Sequence, residues 1–121
     1  MAEEKRLICP SASVTECGRG VRFTVEGAKG PVPAFVVRHA GKVRGYLNRC
    51  AHVGVELDAQ PGEFFDLAGL YLLCTTHGAA YVPATGYCVK GPCKGLSLSK
   101  IALDECDGNI YLLSNKETAY V

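Results

Sequence analysis

The stretch CAHVGVELDAQPGEFFDLAGLYLLCTTHG, residues 50–78, presents Cys50 with His52 and then Cys74 with His77. A zinc finger usually draws two cysteines from one turn and two histidines from another; here each short loop supplies one of each. One residue separates the first pair, two separate the second, and residues 53–73 lie between the pairs. Within that gap Glu63–Asp66 and Leu70–Leu73 read as the strands of a hairpin, which would bring both loops out at one end. A single tetrahedral ion accepts two sulfurs and two nitrogens from such loops. So does a two-iron two-sulfur cluster with both cysteines on one iron and both histidines on the other. The ligand set by itself leaves these alternatives open.

Outward from this stretch, short runs of β-branched and aromatic residues alternate with Gly, Pro, Asp and Asn. They predict strands over Leu7–Pro10, Val21–Glu26, Ala34–Arg38, Lys42–Asn48, Ala80–Pro83, Lys100–Cys106 and Ile110–Ser114, beside the two in the gap. No segment sustains helical periodicity over 11 or more residues. His39-Ala40-Gly41 and Asp107-Gly108 have the chemistry of hairpin turns, where positive φ is needed. The expected fold is all-β: an antiparallel β-sandwich or barrel-like scaffold carrying an inserted lobe. Composition places that lobe at about residues 48–95, rich in Gly, Pro, Cys and His, with the scaffold at about 1–47 and 96–121 of a single domain.

Composition excludes several functions. The formal net charge of +1 and pI near 7.6 give no basic surface for nucleic acid. No run of about 18 apolar residues is available to span a bilayer, and the N-terminal stretch has no export signal, so a cytoplasmic protein with no membrane partner is expected. Seven cysteines, an odd number, without such a signal argue for metal rather than a disulfide framework. Nucleophile–base, phosphate-loop and dinucleotide patterns are missing from the sequence, which speaks against substrate chemistry by this chain alone.

The residues after the second pair decide between the alternatives. HGAAYVPATGYCVKGPCKG, residues 77–95, continues with Gly78, an aromatic at Tyr81, a Thr85-Gly86 turn and a Gly91-Pro92 turn. Together with Cys50-Ala51-His52 and Cys74-Thr75-Thr76-His77-Gly78, this resembles the Rieske family, whose motif is C-x-H followed by C-x2-H-G. The resemblance implies one 2Fe–2S cluster held by Cys50, His52, Cys74 and His77, with the histidine iron the exposed one. It gives Gly54 and Gly78 the role of letting backbone N–H groups approach the cluster sulfurs, and makes Gly91-Pro92 a stiff third loop that shields the site from water. Neutral imidazoles in place of two thiolates reduce the negative charge of such a site and raise its potential.

Departures from the high-potential branch of the family sharpen the expectation. The cysteines that join the two ligand loops in that branch fall at Val55 and Thr76 here, and a serine donor falls at Ala79, while Tyr81 keeps a phenol at the position of a second donor. Fewer hydrogen bonds to sulfur place the potential in the lower part of the Rieske range, which spans about −150 to +300 mV. The resemblance is to soluble, low-potential oxygenase ferredoxins, and it implies a one-electron carrier between a flavin reductase and a terminal oxygenase. Alternative readings are a small Rieske subunit of a larger redox enzyme, such as a nitrite reductase-like complex, or a zinc-stapled interaction domain. Among the other cysteines, Cys9 and Cys106 are expected in the core, Cys17 in a turn, and Cys88 and Cys93 as buried packing around the third loop. His39 is expected in solvent at its turn, and Lys90 and Lys94 at the edge of the third loop.

Overall fold

A computed structural model of the chain describes residues 4–27, 30–49, 56–58, 62–66, 68–74 and 78–114. The ten strands among them are β1 (Glu4–Pro10), β2 (Val21–Gly27), β3 (Gly30–His39), β4 (Lys42–Leu47), β5 (Leu72–Cys74), β6 (Ala79–Tyr81), β7 (Cys88–Lys90), β8 (Lys100–Ile101), β9 (Leu103–Cys106) and β10 (Asn109–Ser114). They form three sheets with the orders β1-β10-β9, β2-β3-β4-β8 and β5-β6-β7, every pairing antiparallel and none closing into a barrel. The one helical piece among the described residues is a single 3-10 turn at Ser11–Ser13. The all-β expectation therefore holds, as stacked open sheets.

The four-stranded sheet is the middle layer, and β3 shows why. Ala34, Phe35, Val36 and Val37 are all buried, so this strand is covered on both faces. Successive side chains of a strand point to opposite faces. Phe35 and Val37 join a cluster with Tyr46, Leu57, Phe64, Leu72, Cys74 and Tyr81, on the side of the third sheet. Val32 and Ala34 pack with Leu112, and Val36 packs with Cys9 and Ile110, on the side of the first sheet. One apolar run thus builds two cores.

Turn chemistry sets the registers. Ala40 and Gly41 (φ 55° and 76°) close β3 onto β4 with His39 opposite Lys42, and Asp107 and Gly108 (φ 53° and 76°) close β9 onto β10 with Cys106 opposite Asn109. Two consecutive positive-φ residues suit the twist of the flanking strands. Arg38 locks the layers from the side, donating to the carbonyls of Val14 and Ser11 and to both carboxylate oxygens of Glu105.

Several expectations are corrected. The strand expected over Lys100–Cys106 is two strands: β8 pairs with β4 in the middle sheet, and β9 pairs with β10 in the first, so the chain changes layer at Ala102. Leading into Ala34, β3 also includes Pro31 and Pro33. Asn48 N donates to the Pro33 carbonyl, so the missing N–H of Pro33 faces the same side, where β4 pairing begins only at Ala34; there the ring removes no ladder bond to β2. Cys106 is half-buried at a hairpin end rather than in the core. His39 ends β3, half-buried with its ring 6.3 Å from that of Phe65.

Candidate metal centre

The third sheet has strands of only three residues each. A sheet this short is marginal alone, and its stability comes from what it packs on. Phe64 stacks on Phe35 of the middle sheet with ring centroids 4.0 Å apart and 14° between planes. Tyr46 extends from β4 into the same cluster and donates its buried hydroxyl to the Pro83 carbonyl at 2.7 Å, and burial pushes this phenol up to about 12. The hairpin expected in the gap is present: Phe65 bridges Leu72, Leu73 N donates to Phe64 O at 2.7 Å, and Asp66 N donates to Tyr71 O at 3.0 Å.

Cys74 ends β5 with its side chain fully buried. Gly78 N donates to the Cys74 carbonyl at 2.7 Å, with Gly78 at φ 72°, so the chain turns back at Gly78 onto the end of β5. The third loop lies against the same place: a Cβ on Gly91 (φ 98°) would come within 2.7 Å of Ala79 Cα and 3.2 Å of the Gly78 carbonyl. Gly78, Ala79 and Gly91 therefore meet, and a side chain at Gly91 would push the loop off the turn. Pro92 is exposed at the tip, and Lys90 and Lys94 are exposed on either side of it. Tyr81 is fully buried, with its hydroxyl 3.0 Å from Cys93 Sγ.

Cys50, His52, Gly54 and His77, with Val55 and Thr76, lie outside the described residues. The described parts that border the first ligand loop carry a feature that motif reading missed. Asn48 and Asp58 are both buried, and Asn48 Nδ2 donates to Asp58 Oδ1 at 2.9 Å. Leu57 N donates to Asn48 Oδ1 at 2.9 Å, and Gly62 N donates to Asp58 Oδ2 at 2.8 Å. Arg22 Nε lies 3.3 Å from the same Oδ2. Asn48, two residues before Cys50, is thus tied to the chain on the far side of that loop, with each buried oxygen partnered as burial demands. An isolated Asn and Asp in the sequence gave no sign of this.

The residues present fit an iron–sulfur group. A buried thiol at the end of β5 is of the soft kind such a cluster takes as a ligand, and it lies beside a turn closed by Gly78 beneath a proline-tipped loop. Three thiols lie outside the lobe. Burial pushes the Cys9 thiol up; burial and then Glu16 push the Cys17 thiol up; burial pushes that of Cys106 up. All three are disfavoured as thiolate ligands.

The family model of the Rieske [2Fe-2S] domain matches residues 4–102. The chain belongs to the Rieske family. Its cofactor is therefore a 2Fe–2S cluster. No curated protein matches the chain. Among solved structures, it is similar to the ferredoxin of carbazole 1,9a-dioxygenase from Nocardioides aromaticivorans IC177, with 21% identity, a TM-score of 0.71, and 89% of this chain and 95% of that one covered. The Sphingomonas yanoikuyae B1 ferredoxin shares 23% identity with a TM-score of 0.69, over 93% and 100% of the two chains. A chain in the complex of reduced oxygenase and oxidized ferredoxin in carbazole 1,9a-dioxygenase shares 22% identity with a TM-score of 0.70, over 89% and 91%. At these identities the likeness is one of fold. Among the described residues no helix is long and apolar enough to cross a membrane.

Proposed function

We propose that this Rieske chain is a one-electron carrier, taking electrons from a flavin reductase and passing them to a terminal oxygenase, without substrate chemistry of its own. The supporting observation is the likeness to ferredoxins along nearly their whole length, one of the similar structures being a complex of reduced oxygenase with oxidized ferredoxin. Cys50, His52, Cys74 and His77 are the proposed ligands, in a lobe of about residues 48–95, and the cytoplasm is the proposed location. When bound, the cluster accepts and releases one electron. Cys74 would hold it from the buried end of β5, Gly78 and Gly91 keep the turn and the third loop in contact, and Pro92, Lys90 and Lys94 form an exposed rim that a protein partner would meet.

Low-temperature electron paramagnetic resonance of the dithionite-reduced protein tests the ligand set. Mixed nitrogen and sulfur ligation gives a lower average g value than all-thiolate ligation, and iron and labile sulfide should be present at two each per chain. Colourless protein carrying zinc would defeat the reading. His52→Cys adds a negative charge and should lower the midpoint potential; an unchanged potential contradicts the assignment of His52. Reduced protein mixed with an oxidised terminal oxygenase should be reoxidised at a rate that falls with salt. Chromatography of native extract separates a carrier that runs alone from a subunit that stays with a larger enzyme.

A further inference from the structure

Cys88 and Cys93 belong to neither ligand pair. Cys88 opens β7 opposite Tyr81 in register, and Cys93 follows the Gly91-Pro92 turn. Both are buried, at 0% and 1% exposure, and Cys93 Sγ donates to Cys88 Sγ at 3.0 Å. Cys88 Sγ in turn donates to the Lys90 carbonyl at 3.2 Å, and the Tyr81 hydroxyl lies 3.0 Å from Cys93 Sγ.

The backbone around the two sulfurs is fixed independently of them. Cys88 N donates to Leu96 O, Gly95 N to Cys88 O, Leu96 N to Cys93 O and Lys94 N to Gly91 O. Two sulfurs held 3.0 Å apart need approach by only about 1 Å to reach the S–S bond length of about 2.05 Å. Glutathione disulfide is anionic, and the loop it would approach carries the exposed cations Lys90 and Lys94.

We propose that Cys88 and Cys93 are a dithiol–disulfide pair that closes residues 88–93 into a covalent ring when a low-molecular-weight disulfide of the glutathione class is the oxidant. When local opening of the exposed loop around Gly91-Pro92 uncovers Cys93, its thiolate attacks a sulfur of glutathione disulfide, forming a mixed disulfide and releasing one glutathione thiol. The second cysteine attacks the protein sulfur of that mixed disulfide, forming the Cys88–Cys93 bond and releasing the second thiol. The protein loses two protons and two electrons, and the two glutathione thiols carry them away. In the closed form neither sulfur can donate, so Tyr81 can bond there only as donor, and the Lys90 carbonyl loses its thiol partner. The ring is pinned where Gly91 meets Ala79, beside the turn at Gly78. A ring this short constrains the unfolded chain little, which makes it a reversible redox latch rather than a stability staple. This holds whether or not the chain is a carrier to an oxygenase.

The test uses the cluster-loaded full chain, equilibrated anaerobically across mixtures of reduced and oxidised glutathione, quenched in acid and alkylated with iodoacetamide. The oxidising end should give two fewer alkylations and a mass lower by two hydrogen atoms. After trypsin cuts at Lys90 and Lys94, the fragment Gly91–Lys94 should remain joined to the fragment ending at Lys90 through a bond that dithiothreitol releases, and fragmentation should place it at Cys88. Cys88→Ser should abolish the link. Iron content, followed in parallel, separates these thiols from any released from the metal. Full alkylation of Cys88 and Cys93 in every mixture, and also after the smaller oxidant diamide, overturns the proposal. So does a link to Cys50 or Cys74, or glutathione retained on Cys93 with no ring formed.

Discussion

The two outer sheets cover opposite faces of the same middle layer by different means. The first sheet, β1-β10-β9, uses longer strands whose apolar residues (Cys9, Ile110, Leu112) face inward, and a tight turn at Asp107-Gly108. The third sheet, β5-β6-β7, has three-residue strands and depends on aromatic anchors, glycines in close contact and buried polar ties. The difference teaches that the scaffold side is held by repetitive ladder pairing, including that of the sequence-distant β1 and β10. The metal side is held by a few individual residues, each carrying a large share.

Substitutions that target those individual residues should break the comparison most. Asp58→Ala leaves Asn48 Nδ2 and Gly62 N without a buried acceptor and removes the buried one of two carboxylates beside Arg22. A loss of about 4 kcal/mol in urea unfolding is expected, against under about 0.5 kcal/mol for Glu56→Ala, which removes the exposed ion-pair partner of the same arginine. Next, Gly91→Ala forces a methyl against Ala79 and requires positive φ, for about 3 kcal/mol. Gly108→Ala shares the positive φ but meets open space, so only about 1 kcal/mol is expected. Equal losses from the two glycine variants would show that the third loop does not rest on the turn.

Tyr46→Phe removes one buried hydrogen bond across the joint between the middle layer and the third sheet, for about 1.5 kcal/mol, read by the same unfolding curves. The smallest effect belongs to the scaffold's charges. Arg38 holds the Glu105 carboxyl below its ordinary value of 4.5; Lys5 does the same for Asp104, and the Gly41 and Ala40 N–H groups for Glu16. A depressed folded-state value gives stability that is present above the ordinary value and lost as pH falls through the folded one. Acidification below about pH 4.5 should therefore weaken the scaffold first. Glu105→Gln should cost a few tenths of a kcal/mol at neutral pH and flatten that acid limb.

Much of this contrast was readable beforehand, for a physical reason. Positive-φ turns advertise themselves, so Ala40-Gly41 and Asp107-Gly108 placed two hairpins, and the order of Cys, His and Gly residues marked the metal side. Ala102 carried no such mark: Ile101 and Leu103 both point inward, so the alternation runs unbroken through the change of layer. The strand Cys88-Val89-Lys90 is too short to show a period. Pro31 and Pro33 argued against a strand because the open side of β3 cannot be seen in one dimension. Asn48 and Asp58 signal nothing until folding brings them together.

The doubly covered β3 has a consequence for how folding errors are rejected. A slip of one residue in its pairing would turn Phe35 toward Ile110 and Val36 toward Tyr81 at the same moment. Misalignment is thus penalised in two places at once, and the metal-binding side inherits a proofread foundation from a strand that lends it only every second residue.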